Sequence, residues 1–371
     1  MRAFEINISG YRNLKKTSVN PGPEVNFIYG RNAQGKTNFI ESIWMFTGAR
    51  SFRGTKDSEL VSFNEDFAKL EGKFFIENRK QNISVFFGNG KRKVFLNDIA
   101  QTYPTKIIGK FRVVLFSPLQ LSLVSGGPEK RRKFIDAAIC QLKPTYISHI
   151  SSYNKILRQR NALLKNFSLD STHGFLEILD EKLSHVGAIL IRERLKYLEL
   201  LKKESLRIYS EISDNSEVMD INYVPSFSKN ISCESDFELI KNEIMLKLEK
   251  SKNSDIKSGC TSFGPHKDEL EMFIDEKKVR LFGSQGQQRS AALCLKLAEA
   301  GVLKKSLNDS PVILLDDVMS ELDEFRRNYL ISKITGNQVF ITDCNSDMYK
   351  KFKNGKLFEV NNGFVREVNR I

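Results

Sequence analysis

The chain has 371 residues, 40% of them hydrophobic and 28% charged, a balance that excludes general disorder and a collagen-like repeat and fits two or three globular domains. No stretch approaches the roughly 18 consecutive apolar residues of a spanning helix, and Met1-Arg2-Ala3-Phe4-Glu5 turns polar at once, so neither a membrane-embedded body nor a secretory leader is expected. Lysine plus arginine outnumber the acids 58 to 45, and the net charge of +13 points to polyanionic partners, nucleic acid before an anionic membrane surface.

Phe4-Glu5-Ile6-Asn7-Ile8 alternates apolar and polar residues and predicts a half-buried strand. A turn at Pro21-Gly22-Pro23 leads to a second strand, Val25 to Tyr29, and directly to Gly30-Arg31-Asn32-Ala33-Gln34-Gly35-Lys36-Thr37. A helix follows, with Phe39, Ile40, Ile43, Trp44 and Thr47 on one side. Antiparallel strands are expected from about 67 to 103, turning near Asn78 and at Gly88-Asn89-Gly90, and a further run ends at Phe116-Ser117-Pro118.

After Gly126-Gly127-Pro128 the composition turns helical as far as Ile212, with breaks at Pro144 and from Ser168 to Gly174. Apolar residues recur every three or four positions, as in Leu176, Leu179, Leu183, Val186 and Leu190, until Glu193 interrupts the seam. Two such helices predict an antiparallel hairpin arm whose second helix reaches roughly 50 Å at 1.5 Å per residue. An ordinary helical subdomain fits the spacing equally well. Beyond residue 255 the character is α/β again: Leu270, Met272 and Ile274 alternate, Gln287 to Lys305 is a good helix, and Val312 to Leu315 and Val339 to Thr342 are buried-strand runs. The expected organisation is an α/β head built from both chain ends, 1–125 and 256–371, with a helical insertion at 126–255.

The five cysteines are scattered and never form C-x-x-C, which argues for reduced thiols, and the four histidines show no ligand spacing. The chemistry lies in the loop at 30–37, whose Gly-x4-Gly-Lys-Thr pattern sits between strand and helix. There Gly30 and Gly35 let the backbone of Arg31, Asn32, Ala33 and Gln34 turn its N–H groups onto phosphate oxygens. Lys36 reaches the β- and γ-phosphates of ATP, and the Thr37 hydroxyl ligates Mg2+. Ile313-Leu314-Leu315-Asp316-Asp317 supplies the second half of such a site: Asp316 to hold the magnesium, and Asp317 to orient or deprotonate the attacking water. These acids lie 280 residues beyond Lys36, so a large insertion interrupts the fold.

Ser284-Gln285-Gly286-Gln287-Gln288 opens a helix, as a plain N-cap does and as an anion site does. It precedes the acidic strand by about thirty residues, and Ser320-Glu321-Leu322-Asp323 follows that strand. This succession resembles the signature motif, Walker B strand and D-loop of ABC-type ATPases. That resemblance implies that Ser284, Gly286 and Gln287 close on nucleotide held by a second subunit, in an ATP-dependent homodimer, and it offers Gln120 as a Q-loop glutamine.

A more specific resemblance rests on Ser9 to Leu14, Gly30 to Glu41, Ser51-Phe52-Arg53, Phe116-Ser117-Pro118, Pro128 to Asp136, Phe263 to Asp268, Gly286 to Arg289 and Leu314 to Asp323. In that order these segments look like the successive motifs of the bacterial RecF family, which are SMC-like P-loop ATPases. The likeness implies a cytoplasmic, weak DNA-dependent ATPase of recombinational repair. It would act at double-stranded and gapped DNA with RecR and RecO to help load RecA, and would support replication and the SOS response. Lys267 stands where the family more often has Arg, keeping the charge without the bidentate fork. Asp317 stands where ABC ATPases usually carry a glutamate base, which leaves open a clamp that binds ATP and hardly turns it over.

Lys130-Arg131-Arg132-Lys133 sits in one of these motifs and is expected to contact DNA phosphates, giving affinity without sequence readout. Lys91-Arg92-Lys93 reads as a solvated face. Two other functions compete with this reading. An SMC-like DNA clamp of another repair pathway needs hundreds of coil residues or a C-x-x-C at the arm tip. An ABC transporter subunit needs a compact chain, whereas Ser284 lies 248 residues after Lys36.

Overall fold

The computed structural model describes residues 1–77, 79–166, 169–228, 231–352 and 354–368, without the side chains of 169–173, 347 and 351. The chain divides into two units, Met1–Ser122 with Ala292–Ile371, and Leu123–Ala291.

In the first unit, the run Val312–Asp316 is buried at every position, as a central parallel strand requires. It pairs in parallel with Val113–Phe116 on one side and Val339–Asp343 on the other. Next come Val25–Tyr29 and Lys356–Asn361, both parallel, and Phe364–Val368 returns antiparallel to close a six-stranded sheet. The second sheet is antiparallel, in the order Thr17–Val19, Arg2–Ser9, Phe67–Ile76, Arg79–Gly88, Lys91–Leu96 and Ile99–Ala100. Its alternation delivers Ile6, Ile8, Leu70, Phe74, Val85 and Phe87 to one core. That core also takes Phe39, Ile40 and Ile43 of the helix Lys36–Met45, and Ile28, Leu314 and Phe340 of the parallel sheet. The helix that begins at Lys36 is therefore buried by residues of both sheets, which fixes the loop at its start. The turn expected at Asn78 lies outside the described residues.

The second unit contains helices Pro128–Leu142, Tyr146–Lys165, Leu169–Ile212 and Phe237–Ser258, and a sheet of Lys277–Lys278, Glu269–Ile274 and Met219–Val224. Leu169–Ile212 has 44 residues, about 66 Å at 1.5 Å per residue. The break expected from Ser168 to Gly174 is corrected: the helix runs on from Leu169 through Gly174, although Ser168 itself is outside the described residues. The seam is buried at Leu176, Leu183, Leu190, Tyr197 and Leu201, and the interrupting Glu193 accepts from Lys143 at 2.7 Å. Contacts from Arg160 to Asp180 and from Lys143 to Glu193 make Tyr146–Lys165 antiparallel to the long helix. Phe237–Ser258 packs there too, with Ile244 beside Gly187 and Phe237 beside His185. The pair of helices thus belongs to a broader helical subdomain.

The boundary expected at 255 moves to 291. Glu269–Ile274 pairs along its whole length with Met219–Val224, from Glu269 opposite Val224 to Ile274 opposite Met219, which ties residues 256–291 to the insertion. The division falls inside the helix Gln285–Leu307.

Candidate nucleotide site

The loop at 30–37 is held open by backbone conformations that suit its residues. Gly30 and Gly35 have φ of 155° and 118°, and a Cβ on Gly30 would lie 2.3 Å from the Val360 carbonyl oxygen. Lys36 is only 8% exposed and folds back over the loop, donating to the carbonyls of Gly30 at 2.6 Å and Arg31 at 3.1 Å. Thr37 donates from Oγ1 to Asp316 Oδ1 at 3.0 Å, so residues 279 apart in sequence share one hydrogen bond. Thr342 donates to the same oxygen at 3.0 Å, and its own hydroxyl accepts from the Asp317 N–H at 2.9 Å. Asp317 is exposed, with φ of 52°. Asn32, Ala33, Gly35, Lys36, Thr37, Asn38, Arg53, Asp317 and Thr342 line a cavity of about 210 Å³.

Burial pushes the Asp316 carboxyl above its ordinary range, and the nearby Asp317 charge adds to this; hydrogen bonds from Thr37 and Thr342 oppose it. A buried carboxylate beside a hydroxyl is a donor pair that suits Mg2+, which takes one or two protein oxygens and completes its shell with phosphates and water. Thr37 and Asp316 are the residues that would hold it. No group of three or more His, Cys, Asp or Glu among the described residues offers a self-sufficient metal cage.

Several supporting residues, some of them in the motif segments named above, had no role assigned from the sequence. Glu41 is fully buried; burial raises its carboxyl, but hydrogen bonds from Arg53, Arg12 and Ser51 outweigh this and hold it below its ordinary range. Arg53, bonded to Glu41 at 2.9 Å, thereby stands fixed at the cavity wall. The C-terminal hairpin turn clamps the loop from below, with the Asn362 N–H donating to Gln34 Oε1 at 2.6 Å and the Gly363 N–H to Gln34 O at 3.2 Å. Cys344 lies within 2.9 Å of Asn32 Oδ1 and 3.7 Å of Lys36 Nζ. An Asn-Gly pair signals a turn, but nothing local says which loop that turn will touch.

All nine cavity-lining residues belong to the first unit. Gln120, offered as a Q-loop residue, lies in the short helix Pro118–Leu121 and is not one of them. Ser284, Gly286 and Gln287 belong to the second unit. There Ser284 is an exposed N-cap: its Oγ accepts from the Gln287 N–H at 3.1 Å, and Gln287 Oε1 accepts from the Ser284 N–H at 2.8 Å. This reciprocal capping box closes the start of the helix, where Ser284 and Gln285 are exposed and Gly286, Gln287 and Gln288 half-buried.

The basic cluster needs correction. Arg131 is 2% exposed and forks onto Glu269 with two bonds of 2.8 Å, while its Nη1 donates to the carbonyls of Leu123, Val124 and Gly126. Arg132 is half-buried and donates to the Asp268 carbonyl at 2.7 Å. Arg131 builds the unit and is not presented to phosphate; Arg132 is partly exposed, and Lys130 and Lys133 are exposed. The segment Phe263 to Asp268 is architectural as well. Asp268 is buried and accepts from the Tyr223 hydroxyl and the Ser226 N–H, and His266 Nδ1 lies 2.8 Å from the Tyr153 hydroxyl, its pKa pushed down by burial to about 4. Lys267 alone of that group is exposed.

Comparison with known proteins accords with this geometry. The family described as RecF/RecN/SMC N terminal domain matches residues 4–365. Proteins described as DNA replication and repair protein RecF include that of Oceanobacillus iheyensis, 36% identical over 370 residues, covering 98% of this chain and all of the relative. That of Clostridioides difficile is 36% identical over 367 residues, 98% of each chain. Two solved structures of the recombination mediator protein RecF in the RecFOR pathway, described as RecF-ATPrS and RecF-ATP, match with a TM-score of 0.92 at 36% identity. They cover 99% of this chain and 98% and 97% of their own. An Smc head domain from Pyrococcus furiosus shares the fold at 15% identity, with a TM-score of 0.54, over 99% of this chain and 95% of its own. With an ABC-type head fold and this identity along nearly its whole length, the chain belongs to the RecF family of the RecF/RecN/SMC proteins.

Proposed function

We propose that this chain is an ATP-dependent DNA-binding protein of recombinational repair, a weak DNA-dependent ATPase. It acts at gapped and double-stranded DNA with RecR and RecO to help load RecA, in support of replication and the SOS response. The observation that carries this reading is the Thr37–Asp316 hydrogen bond at the cavity behind the loop, which joins the two halves of an ATPase site across 279 residues. Backbone N–H groups of residues 31–35 and the Lys36 ammonium take the phosphates, and Arg53 stands by for the developing charge. Mg2+, held by Thr37 and Asp316, supplies charge neutralisation at the phosphates when bound. Asp317, exposed at the cavity and fixed at its backbone by Thr342, orients and deprotonates the water. Being one methylene shorter than glutamate, it reaches less far, which accounts for slow turnover. The protein works in the cytoplasm, where such DNA lies. Among the described residues no helix is long and apolar enough to cross a membrane.

The first turn of Gln285–Leu307, with Ser284 exposed before it, supplies the signature, and it completes the site of a second copy. ATP is therefore expected to convert monomers to dimers, and ADP is not. Ser284→Arg, which fills that turn with bulk, should abolish the shift in sedimentation velocity while monomer nucleotide affinity stays at the parent value. An ATP-independent dimer of constant stability would overturn this closure.

DNA is held by backbone charge. Removing one lysine–phosphate pairing lowers the slope of log affinity against log salt by about 0.9 on duplex. Lys130→Ala with Lys133→Ala should flatten the slope by about 1.8 if both touch phosphate, equally on unrelated sequences. An unchanged slope in a salt titration would return these lysines to the solvated surface, where Lys133 already pairs with Glu129.

A further inference from the structure

The capping box at the signature turn is not self-contained. The Gln287 side-chain amide has two ends, and both are engaged: Oε1 accepts from the Ser284 N–H at 2.8 Å, and Nε2 donates to Glu217 Oε1 at 2.8 Å. The other carboxylate oxygen of Glu217, Oε2, accepts from the Tyr209 hydroxyl at 2.7 Å. Tyr209 is 1% exposed and sits three residues before the end of the 44-residue helix Leu169–Ile212. Glu217 lies in the turn that leaves this helix. Asp214 and Asn215 hold φ of 51° and 57° there, the Ser213 hydroxyl donates to the Glu217 carbonyl at 3.2 Å, and Val218 and Asp275 exchange two bonds of 2.9 Å. The carboxylate is thus fixed from both sides of the turn.

From these contacts we infer that Glu217 is a positioning residue for the signature, a strut that ties the end of the long helix to the turn bearing Ser284. The physical reason is directional. A carboxylate only accepts, so it selects the orientation of the Gln287 amide in which nitrogen faces Glu217 and oxygen faces the Ser284 N–H. In the flipped amide, NH2 would meet the Ser284 N–H donor to donor, and the box would open. Removing the carboxylate charge therefore loosens the signature without touching the phosphate loop. The same carboxylate makes the signature sensitive to displacement of the long helix, because Tyr209 pulls on its second oxygen. The functional half of this inference rests on the ATP-driven closure proposed above; the strut itself does not.

The test uses the full chain and three variants. Glu217→Gln preserves shape and offers an amide in place of the carboxylate, Tyr209→Phe removes only the helix end of the strut, and Glu217→Asp retains the charge as a conservative control. Hydrogen exchange of the nucleotide-free monomer reads the strut directly. Protection of the N–H groups of residues 284–287 should fall about tenfold in Glu217→Gln, the loss expected for one charge-assisted hydrogen bond, with the head's strands unchanged. Unchanged protection there would overturn the strut. Sedimentation with ATP then reads its consequence: the dimer dissociation constant should rise about tenfold in Glu217→Gln, by less in Tyr209→Phe, and recover in part in Glu217→Asp. ATP affinity of the monomer should match the parent throughout. Lost protection with parent-level dimerisation would overturn the functional half. A parent chain that fails to dimerise with ATP would instead count against the proposed closure and leave the exchange result standing on its own. Loss of protection across the whole unit in all three variants would mark Glu217 as a folding residue and overturn the assignment.

Discussion

Lys36→Ala is expected to weaken ATP binding by roughly 30- to 5,000-fold, the range set by about 2 to 5 kcal/mol for truncating one partner of a buried, hydrogen-bonded charge pair. Place matters here as much as charge. Lys36 stands at the first position of a helix buried by both sheets, so its ammonium cannot be replaced by a neighbour that swings in. Its hydrogen bonds to the carbonyls of Gly30 and Arg31 also pin the loop in the shape that accepts phosphate. Asp317→Asn should behave oppositely: binding stays, because the amide keeps the size of the cavity wall, and turnover stops, because an amide takes no proton. Titration with a fluorescent ATP analogue and a phosphate-release assay separate the two. Parent-level hydrolysis by Asp317→Asn would move the base elsewhere.

A second large effect is expected far from the nucleotide. Arg160 is fully buried and donates to Asp180 at 2.5 Å, Asp255 at 2.8 Å and Thr261 at 2.9 Å, while its Nη2 finds no partner among the described residues. Asp255→Ala removes one of two counter-charges and leaves Nη1 of the buried guanidinium with only the Thr261 hydroxyl to accept from it, a change that costs about 1.5 to 3 kcal/mol. Burial already raises the Asp180 carboxyl, and the charge of Asp255 raises it further; the hydrogen bond and charge of Arg160 oppose them, so the three groups act together. Replacing Arg160, Asp180 and Asp255 jointly with Met, Leu and Leu should be far milder than the single change, since the apolar triad needs no desolvation. Urea unfolding followed by circular dichroism checks both. A single Asp255→Ala within about 1 kcal/mol of the parent would mean that water reaches this cluster.

The nucleotide loop and its acidic strand were legible because each is a local device. Glycines at fixed offsets, a β-prone run before them and an apolar run ending in acids carry their meaning within a dozen residues. Arg131 reads differently in the fold for the same reason. Composition announces a basic cluster, but only the fold shows that Glu269, 138 residues away, takes one guanidinium into the interior. The boundary at 291 was hidden because the partner of Glu269–Ile274 is a strand some fifty residues upstream. Polar residues and Gly174 suggested a break that the long helix overrides. One interior glycine costs about 1 kcal/mol relative to alanine, which the packing of a 44-residue element outweighs. Asn362 and Glu217 act through Gln34 and Gln287, partners 328 and 70 residues away that only tertiary structure brings to them.

The sheet that carries the loop also sets an order of events during synthesis. Val25–Tyr29 has as its neighbours Val339–Asp343 and Lys356–Asn361, strands translated some 310 residues later. At 5–20 residues per second that is a wait of roughly 15 to 60 s. Through that interval the nascent chain holds a short apolar strand, Phe27 and Ile28 included, with both edges unpaired, the kind of template that neighbouring chains on a polysome can join. The ATP site accordingly matures last, after the whole insertion has left the ribosome. A message truncated between Thr37 and Val339 is expected to yield a protein with every residue of the phosphate loop and neither neighbour of the strand that leads into it.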